Sequence, residues 1–591
     1  MSGSPRKSRH ASNEGPSRRS RRPDTTDGAA IVNSARPSVL FIVFLIIAAI
    51  FFIRLFYLQV VVADEYSTQA ENSRTASIVV EPRRGTIYDR DGTVLAISVD
   101  ATTIYANPSE VEDVDATAAS IAEVLGGKTE DYKSILQSDN TTFQYIQRKA
   151  DVDKADKLKE KNLKGIYFLS DTRREYPQGK TAGQIIGACD LEVDQDAGRE
   201  YYVGVSGLEL QYNDVLSGTP GRYEAERGQD GTPIPGGVHE DVPATDGQDI
   251  QISIDLDLQS YVEDRLAEGI SDLGAPSGSS VVMDASTGEI YAIASLPYFN
   301  PDDRSVVEEG SMTLKPVSQT FEPGSIFKTV SAMALLETDT MQPDDTIYCP
   351  ASITADGYTI SDAHERGDKT MSLAQIIQES SNVGISLSTE KMGFDKLYDY
   401  LQTYNMHEAT GIDYPGEAVG YLQDYKDWSR VTGYNVSFGQ GISVTPLTMT
   451  RFYGALVNDG VEVTPHFLIK KLQTGEEPQY ATEDVIANKD AIPKMESMLR
   501  GVVTGGTGVD ANIDGYDVVG KTSTAQIYDE QNGGYRDGVY NLCFTGYIAN
   551  SNSKLVCFVG ANEVNYTGVV TPIFKDIMTT AIDYYKITPN S

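Results

Sequence analysis

The stretch FEPGSIFKTVSAMALLE, residues 321–337, sets a serine three positions before a lysine at the start of an apolar helical run. Pro323 and Gly324 are a helix-start signal directly before Ser325. Because positions i and i+3 share one helix face, Lys328 is expected beside Ser325, whose backbone N–H would be free to bind an oxyanion. A serine nucleophile with a lysine base is one interpretation; a helix cap with a surface lysine is the other.

Three further Ser-x-x-Lys pairs begin at Ser4, Ser388 and Ser551, so the spacing alone decides nothing. Ser4 lies in a basic tail, Ser551 lies in the polar turn NSNSK, and the pair at Ser388 runs into the Met-Gly at 392–393, where its helix should end. The chain contains five histidines, none in an evident catalytic setting, so a Ser-His-Asp system stays open without support. The pair that begins at Ser325 is therefore favoured.

Two polar motifs follow that serine along the chain. Ser380-Ser381-Asn382 separates two apolar-periodic helices and predicts a loop between them. GYDVVGKTSTAQ, residues 515–526, fits a phosphate-binding P-loop letter for letter, but residues 516–519 are strand-like and the segment before them is rich in turns. We expect Lys521 on a β-strand, which favours acyl transfer over nucleotide binding.

The first 60 residues differ from the rest of the chain in charge and in apolar content. Residues 1–38 hold eight basic and three acidic residues, a net charge of +5, which leaves −41 for the rest of a chain of net charge −36. The tail is expected to be disordered, and the acidic body argues against nucleic-acid binding. Residues 39–60 are apolar and can cross about 30 Å of hydrocarbon. Basic residues before them predict a cytoplasmic N-terminus and an extracytoplasmic catalytic domain, with a cleaved signal peptide as the alternative.

Taken in order, these motifs resemble the class B penicillin-binding proteins, the monofunctional D,D-transpeptidases of peptidoglycan synthesis. The resemblance covers roughly residues 40–588. The region 207–221 and the ERGQDG that follows it resemble the division-type branch more than the elongation-type branch. The resemblance also rests on the stretches RRGTIYDRDGTVLA (83–96), REYPQGKTAGQIIG (174–187), GLELQYNDVLSGTPG (207–221), DGQDIQISIDLDLQ (246–259), MDASTGEIYAIASLPYFNPD (283–302) and FGQGISVTPLTM (438–449).

The resemblance implies an α/β multidomain chain with one N-terminal transmembrane helix. The implied parts are a disordered cytoplasmic tail (1–38), the transmembrane helix (39–60), a β-rich elongated pedestal (61–245) with an inserted lobe near 100–205, and a transpeptidase domain (246–591). That last domain would place an antiparallel sheet against helices, as in serine β-lactamases. Within the lobe, apolar residues at 114, 118, 121 and 125 predict an amphipathic helix that ends at Gly126.

The resemblance further implies the chemistry. Ser325 would attack the penultimate D-Ala carbonyl of a stem peptide, release the terminal D-Ala and become an acyl-enzyme, with Lys328 as base. A free lysine has a pKa of about 10.4, so a neutral Lys328 near pH 7 needs a pKa lowered by about three units, or about 4 kcal/mol. Burial and the neighbouring cation of Lys521 both act in that direction.

Other residues receive supporting roles from the same resemblance. Ser380 would relay a proton to the leaving amine, and Asn382 would orient the base and the donor amide. Lys521, with the hydroxyls of Thr522 and Thr524, would bind the terminal carboxylate. The backbone N–H of Thr524 would complete the oxyanion hole with that of the nucleophile.

Ser523 departs from the family pattern, which usually has Lys-Thr-Gly where this chain has Lys-Thr-Ser. Glycine lets a substrate backbone approach a strand closely, so the pocket shape and the affinity for β-lactams are left open. This departure motivates one alternative function, a division scaffold with an impaired catalytic centre. The others are a D,D-carboxypeptidase and a β-lactamase of the same fold, in which water takes the acyl group.

The implied ligands are peptidoglycan stem peptides and β-lactams, in septal cell-wall synthesis. The implied partners are a polytopic SEDS-type glycan polymerase and other division proteins. No metal or organic cofactor is expected. The four cysteines lack metal-ligand spacing and are expected to be buried free thiols, with a Cys543–Cys557 disulfide as the alternative; they are Cys189, Cys349, Cys543 and Cys557.

Overall fold

The computed structural model describes residues 35–63, 75–138, 143–194, 199–227, 233–528, 533–565 and 568–589. The disorder predicted for the tail falls on residues 1–34, which lie outside the described residues. The chain divides into two compact units. One comprises Met1–Ser77 with Glu224–His239, and the other comprises Ile78–Tyr223 with Glu240–Ser591.

The first unit contains an apolar helix, Ala35–Phe56, which continues as a π-helical turn, Tyr57–Val61. Residues Val39–Val61 are long and apolar enough to cross a membrane, and none of them is buried. Exposed leucine, isoleucine and phenylalanine around the whole circumference suit a helix surrounded by lipid. This unit also holds most of a three-stranded sheet, which is formed by Thr75–Val80, Gly221–Arg227 and Pro233–Val242.

The N-terminal part of the second unit is built on a sheet centred on the strand Val94–Ala106. That strand pairs with Ile87–Tyr88, Gln144–Asp151 and Ile166–Glu175. The sheet continues from Ile87–Tyr88 through Ile250–Ile252 to Leu468–Lys471, a strand far along the chain. The remaining elements are the hairpin Cys189–Asp194 and Arg199–Gly204 and the helices Pro108–Glu110, Val114–Leu125, Thr129–Leu136, Val152–Glu160, Gly183–Ile186, Gly207–Gln211 and Asn213–Leu216.

The amphipathic helix predicted in this lobe is confirmed. It spans Val114–Leu125 and ends at Gly126, whose φ of 83° is accessible to glycine without strain. Asp113 accepts a hydrogen bond from the N–H of Ala116 and caps the first turn. The apolar stripe of the helix is therefore bounded by a start and a stop that the sequence itself supplies.

Three of the pedestal stretches meet at one buried carboxylate. Glu209 is 0% exposed and accepts hydrogen bonds from Arg84 Nε at 2.6 Å and Arg174 Nε at 2.7 Å. A buried ion pair is tolerated only where opposite charges and hydrogen bonds compensate the lost hydration. The arginines of RRGTIYDRD and REYPQGK and the glutamate of GLELQ thus tie separate segments of the pedestal together.

The C-terminal part of the second unit is organised by a five-stranded antiparallel sheet. Its order is Ile290–Ser295, Ser277–Asp284, Leu555–Val564, Tyr535–Ala549 and Asp517–Tyr528. Alternate residues of a strand point to opposite faces, so Val281 joins the core around the helix Lys328–Glu337, whereas Val282 joins the core around Leu256–Asp272 and Thr571–Tyr585. Helices therefore cover both faces, and Asp517–Tyr528 is left as an edge strand.

The other elements of this part surround the sheet. The helices are Lys315–Ser318, Gly324–Phe327, Leu373–Gln378, Asn382–Met392, Phe394–Thr403, Tyr425–Asp427, Arg430–Ser437, Pro446–Val457, Ala491–Gly505 and Val509–Ala511. The short strands are Thr346–Cys349, Ser352–Ala355, Tyr358–Ser361, Lys369–Ser372, Tyr421–Leu422, Ile442–Ser443, Val461–Val463 and Thr482–Asp484.

Candidate active site

The nucleophile turn, residues 323–327, presents Ser325 at the start of a buried helix. A 3₁₀ turn, Gly324–Phe327, leads directly into Lys328–Glu337. Gly324 has a φ of 54° and donates its N–H to the carbonyl of Gly439 at 2.9 Å. A Cβ on Gly439 would lie 2.3 Å from the carbonyl oxygen of Gly324, so this approach requires glycine. The serine is partly exposed, as a nucleophile must be.

Lys328 is completely buried, and its Nζ lies 2.9 Å from Ser325 Oγ. The same Nζ donates to the carbonyl oxygen of Ser380 at 2.6 Å and to Asn382 Oδ1 at 2.7 Å. Burial, and then the positive charge of Lys521, hold the pKa of Lys328 well below its usual value. The direction and both causes are those expected from the sequence.

The loop predicted at Ser380–Asn382 is confirmed at Ser380 and Ser381, between the helices Leu373–Gln378 and Asn382–Met392, and Asn382 is the first residue of the second helix. Ser380 adopts a left-handed conformation with a φ of 61°, which is uncommon for a residue with a side chain. Its hydroxyl lies 3.2 Å from Lys328 Nζ and 3.0 Å from Lys521 Nζ. The Ser380 hydroxyl therefore joins the two lysines.

Lys521 lies on the edge strand Asp517–Tyr528, so the strand prediction is confirmed and the P-loop interpretation is excluded. Its side chain is 0% exposed, and burial lowers its pKa to about 7. Thr522 and Thr524 line a cleft of about 640 Å³ together with Ser325 and Ser380. The hydroxyl of Thr522 contacts that of Thr507, which fixes its position at the cleft wall.

The structure brings the predicted site residues together, but it corrects one expectation about them. Lys328 and Lys521 are buried behind the cleft and bond to Ser325 and Ser380, whereas the others line it: Ser325, Ser380, Asn382, Thr522, Ser523 and Thr524. The backbone N–H of Ser325 is not free, because it donates to Ser523 Oγ at 2.8 Å. The Ser523 hydroxyl in turn donates to the carbonyl of Pro323 at 2.8 Å. Its position in a first turn predicts a free N–H, but the neighbouring edge strand supplies an acceptor that only the tertiary structure reveals.

Asp362 was missed by the sequence analysis, and it holds the Ser380–Asn382 loop in place. Its carboxylate accepts hydrogen bonds from Ser381 Oγ at 2.8 Å and from the N–H of Val383 at 2.9 Å, and Arg366 Nε pairs with it at 2.5 Å. Carboxylates favour helix N-termini because free N–H groups meet there. Nothing local in ISDAHERGD signals this role, because the partners belong to a different loop.

We expect Asp362→Asn to slow acylation by a penicillin about tenfold, because one neutral amide cannot replace the carboxylate that fixes the loop carrying Ser380 and Asn382. The negative charge of Asp362 also raises the pKa of Lys328. Its removal should therefore move the acid limb of the pH–rate profile to lower pH, which a purely structural loss would not do. Asp368→Asn, in the same exposed segment, is the control and should behave as wild type; an unshifted acid limb in Asp362→Asn would contradict this role.

The acylation rate is expected to pass through a maximum with pH. Below the maximum, Lys328 becomes protonated and can no longer accept a proton; above about pH 7, free Lys521 loses the cation that would bind a carboxylate. The same lowered pKa makes the free energy of unfolding increase with pH between about 7 and the unfolded value of 10.5. Second-order rate constants for acylation, measured from pH 5 to 9, test the expected rate maximum, and a rate constant that still rises at pH 9 would contradict it.

Among the described residues, no group of three or more histidine, cysteine or acidic side chains could hold a metal ion. The expected free thiols are observed, since all four cysteines are buried and none forms a disulfide. The competing Ser-x-x-Lys pair is structural: Ser388 is buried and donates to the carbonyl of Gly384 at 2.8 Å, and its helix ends at Met392. The cleft is thus defined by the pair Ser325 and Lys328.

A family model described as the penicillin binding protein transpeptidase domain matches residues 278–579, and one described as the penicillin-binding protein dimerisation domain matches residues 79–252. The chain is 32% identical over 565 residues to penicillin-binding protein PbpB of Mycobacterium tuberculosis, covering 90% of this chain and 81% of that protein. It is 28% identical to the peptidoglycan D,D-transpeptidase FtsI of Escherichia coli, covering 91% and 90% of the two chains.

A comparison with solved structures also finds penicillin-binding proteins. The crystal structure of penicillin binding protein 3 from Mycobacterium tuberculosis with aztreonam covers 87% of this chain and 98% of its own, with a TM-score of 0.66 and 27% identity. Fold and site therefore define a serine-type transpeptidase that carries a dimerisation domain. The chain belongs to the penicillin-binding proteins, and within them to class B. The domain limits given above remain a prediction.

Proposed function

We propose that this protein cross-links peptidoglycan stem peptides as a D,D-transpeptidase in septal wall synthesis, and that β-lactams acylate it at Ser325. One observation carries the proposal: the Nζ atom of a fully buried lysine lies 2.9 Å from the hydroxyl of a partly exposed serine. This is general-base distance, and the lowered pKa favours the neutral form that a base needs. The activity in the name of the Escherichia coli relative points the same way.

In the first step, Ser325 Oγ attacks the carbonyl carbon of the penultimate D-Ala. A neutral amine has two N–H bonds and one lone pair, and Lys328 Nζ has acceptors for both N–H bonds in the carbonyl of Ser380 and in Asn382 Oδ1. Its lone pair is then left to take the proton of Ser325. The surroundings thus favour the neutral base in the orientation that attack requires.

The second part of acylation expels the terminal D-Ala, whose nitrogen must gain a proton as the C–N bond breaks. The Ser380 hydroxyl lies within 3.2 Å of Lys328 Nζ, which has just gained the proton, and within 3.0 Å of Lys521 Nζ. We assign Ser380 the transfer of this proton to the leaving amine. An amine from a second stem peptide then attacks the ester and regenerates Ser325.

The carboxylate of the donor peptide would bind at the strand edge. Lys521 supplies a buried positive charge, and Thr522 and Thr524 supply hydroxyl donors on the cleft wall. A bound carboxylate would raise the pKa of Lys521 from its value of about 7 in the free site. Binding of the donor would therefore restore the cation that recognises it.

The apolar helix, Val39–Val61, supports anchoring to the membrane by a single span. We assign the N-terminus to the cytoplasm because the basic residues precede the span, which places the catalytic part outside the cell with its substrate. A polytopic SEDS-type polymerase that makes glycan strands, acting with other division proteins, is the partner we propose, since a cross-linking enzyme needs a supply of new strands.

The test uses the full-length protein in detergent with a penicillin, a donor stem peptide and an acceptor amine. Mass spectrometry should find the penicillin on Ser325, release of D-Ala and a cross-linked product. Release of D-Ala with hydrolysed peptide alone would instead indicate a carboxypeptidase, and rapid loss of the penicillin would indicate a β-lactamase. No acylation by either penicillin or peptide would indicate the scaffold.

A further inference from the structure

The Ser523 hydroxyl lies between the edge strand and the nucleophile turn, where glycine is usual in this family. It accepts the N–H of Ser325 at 2.8 Å and donates to the carbonyl of Pro323 at 2.8 Å. Ser523 is buried, with 4% of its surface exposed, although it lines the cleft. The two hydrogen bonds join residues that are 198 and 200 positions apart in the chain.

The space around this hydroxyl is tightly filled. A Cβ built on Gly324 would lie 2.6 Å from Ser523 Oγ and 2.9 Å from the Cβ of Ala525. Both distances are shorter than ordinary van der Waals contact. A side chain at position 324 would therefore collide with the edge strand, and its φ of 54° favours glycine as well.

That N–H is the donor which acyl transfer needs. As Ser325 Oγ attacks a carbonyl, the carbonyl oxygen becomes an oxyanion and is stabilised by backbone N–H groups, each worth about 10²–10³ in rate. One N–H makes one good hydrogen bond, and a second acceptor leaves both bonds weaker and bent. In the free enzyme Ser523 already takes this bond.

We propose that the Ser523 hydroxyl is a latch on the oxyanion-binding N–H of Ser325, and that the substrate carbonyl must displace it during acylation. This inference rests on the proposed function. The latch selects for substrates whose other contacts, such as a carboxylate at Lys521, hold the carbonyl firmly against the turn. Small, loosely held acyl donors react slowly because they cannot displace an intramolecular acceptor.

The test separates the chemical step from binding. For a chromogenic penicillin, the acylation rate constant k2 should rise about tenfold in both Ser523→Gly and Ser523→Ala, while the dissociation constant of the non-covalent complex should change less than about threefold. Ser523→Ala retains the Cβ, so it separates loss of the hydroxyl from widening of the pocket. Ser331→Ala, which removes a buried hydroxyl bonded to the carbonyl of Ser437, is the matched control and should leave k2 unchanged.

Unchanged or lower k2 in both Ser523 variants, with thermal unfolding like that of wild type, would overturn the latch. If either variant fails to fold, a crystal structure of the wild-type penicillin acyl-enzyme decides. Ser523 Oγ should have left the N–H of Ser325, and an acyl-enzyme that retains this bond overturns the proposal. Measurable acylation of wild type at Ser325 sustains the proposed function in every case, whereas no acylation of wild type or of either variant overturns both.

Discussion

A Ser325→Ala variant is expected to lose acylation by penicillin and cross-linking of peptides by more than about 10⁴-fold, because it removes the hydroxyl that forms the covalent ester. The substitution removes one partly exposed oxygen, whose bond partner is Lys328 Nζ at 2.9 Å. That lysine keeps its bonds to Ser380 and Asn382, so the free energy of unfolding should change by less than about 1 kcal/mol.

The measurement is labelling by a fluorescent penicillin, with product formation from a stem peptide in parallel. Ser388→Ala is the matched control, since it removes the serine of the competing Ser-x-x-Lys pair, whose hydroxyl bonds only within its own helix. The control should label like wild type. Residual labelling of Ser325→Ala above a few per cent would contradict the assignment of the nucleophile.

A Lys328→Met variant is expected to acylate about 10²–10⁴-fold more slowly, because the general base is lost while an unbranched side chain still fills the buried site. Lys328 is 0% exposed. Methionine is nearly as long as lysine, so the substitution should leave no large cavity that would lower stability. The substitution leaves the carbonyl of Ser380 and Asn382 Oδ1 without the donor Nζ, so the thermal midpoint should be lower than that of wild type.

The pH dependence distinguishes loss of the base from a general loss of structure. Wild type should show the acid limb of Lys328, whereas Lys328→Met should lose that limb, because water rather than lysine then accepts the proton of Ser325. Lys391→Met is the control, since Lys391 is the exposed lysine of the competing pair. A Lys328→Met enzyme with an unchanged acid limb would show that another group is the base.

Local patterns predicted much of the fold. The helix at Val114–Leu125 followed from apolar spacing and a terminal glycine, and the apolar run near residues 39–60 followed from length and composition. The strand that carries Lys521 followed from β-branched residues despite a glycine pattern that fits a P-loop. Each of these depends on neighbours within a few turns of chain, which the sequence displays directly.

The catalytic residues were predictable in the same way only in part. Ser325 and Lys328 are three positions apart, so helix geometry alone brings them together. Their meeting with Ser380 and Lys521 was expected from the resemblance, since no spacing rule connects residues so far apart. The hydrogen bond that Asp362 accepts at the N-terminus of the helix Asn382–Met392 could not be predicted from the sequence around Asp362.

By itself, the sequence determined which serine and lysine share a helix face, where the apolar helix lies and the order of the motifs, because these depend on residue type and short-range periodicity. Only the tertiary structure decided that the Ser325 N–H is occupied, because that depends on how closely the edge strand approaches the nucleophile turn. Hydrogen bonds are sensitive to tenths of an ångström, and packing between distant segments sets distances of that size.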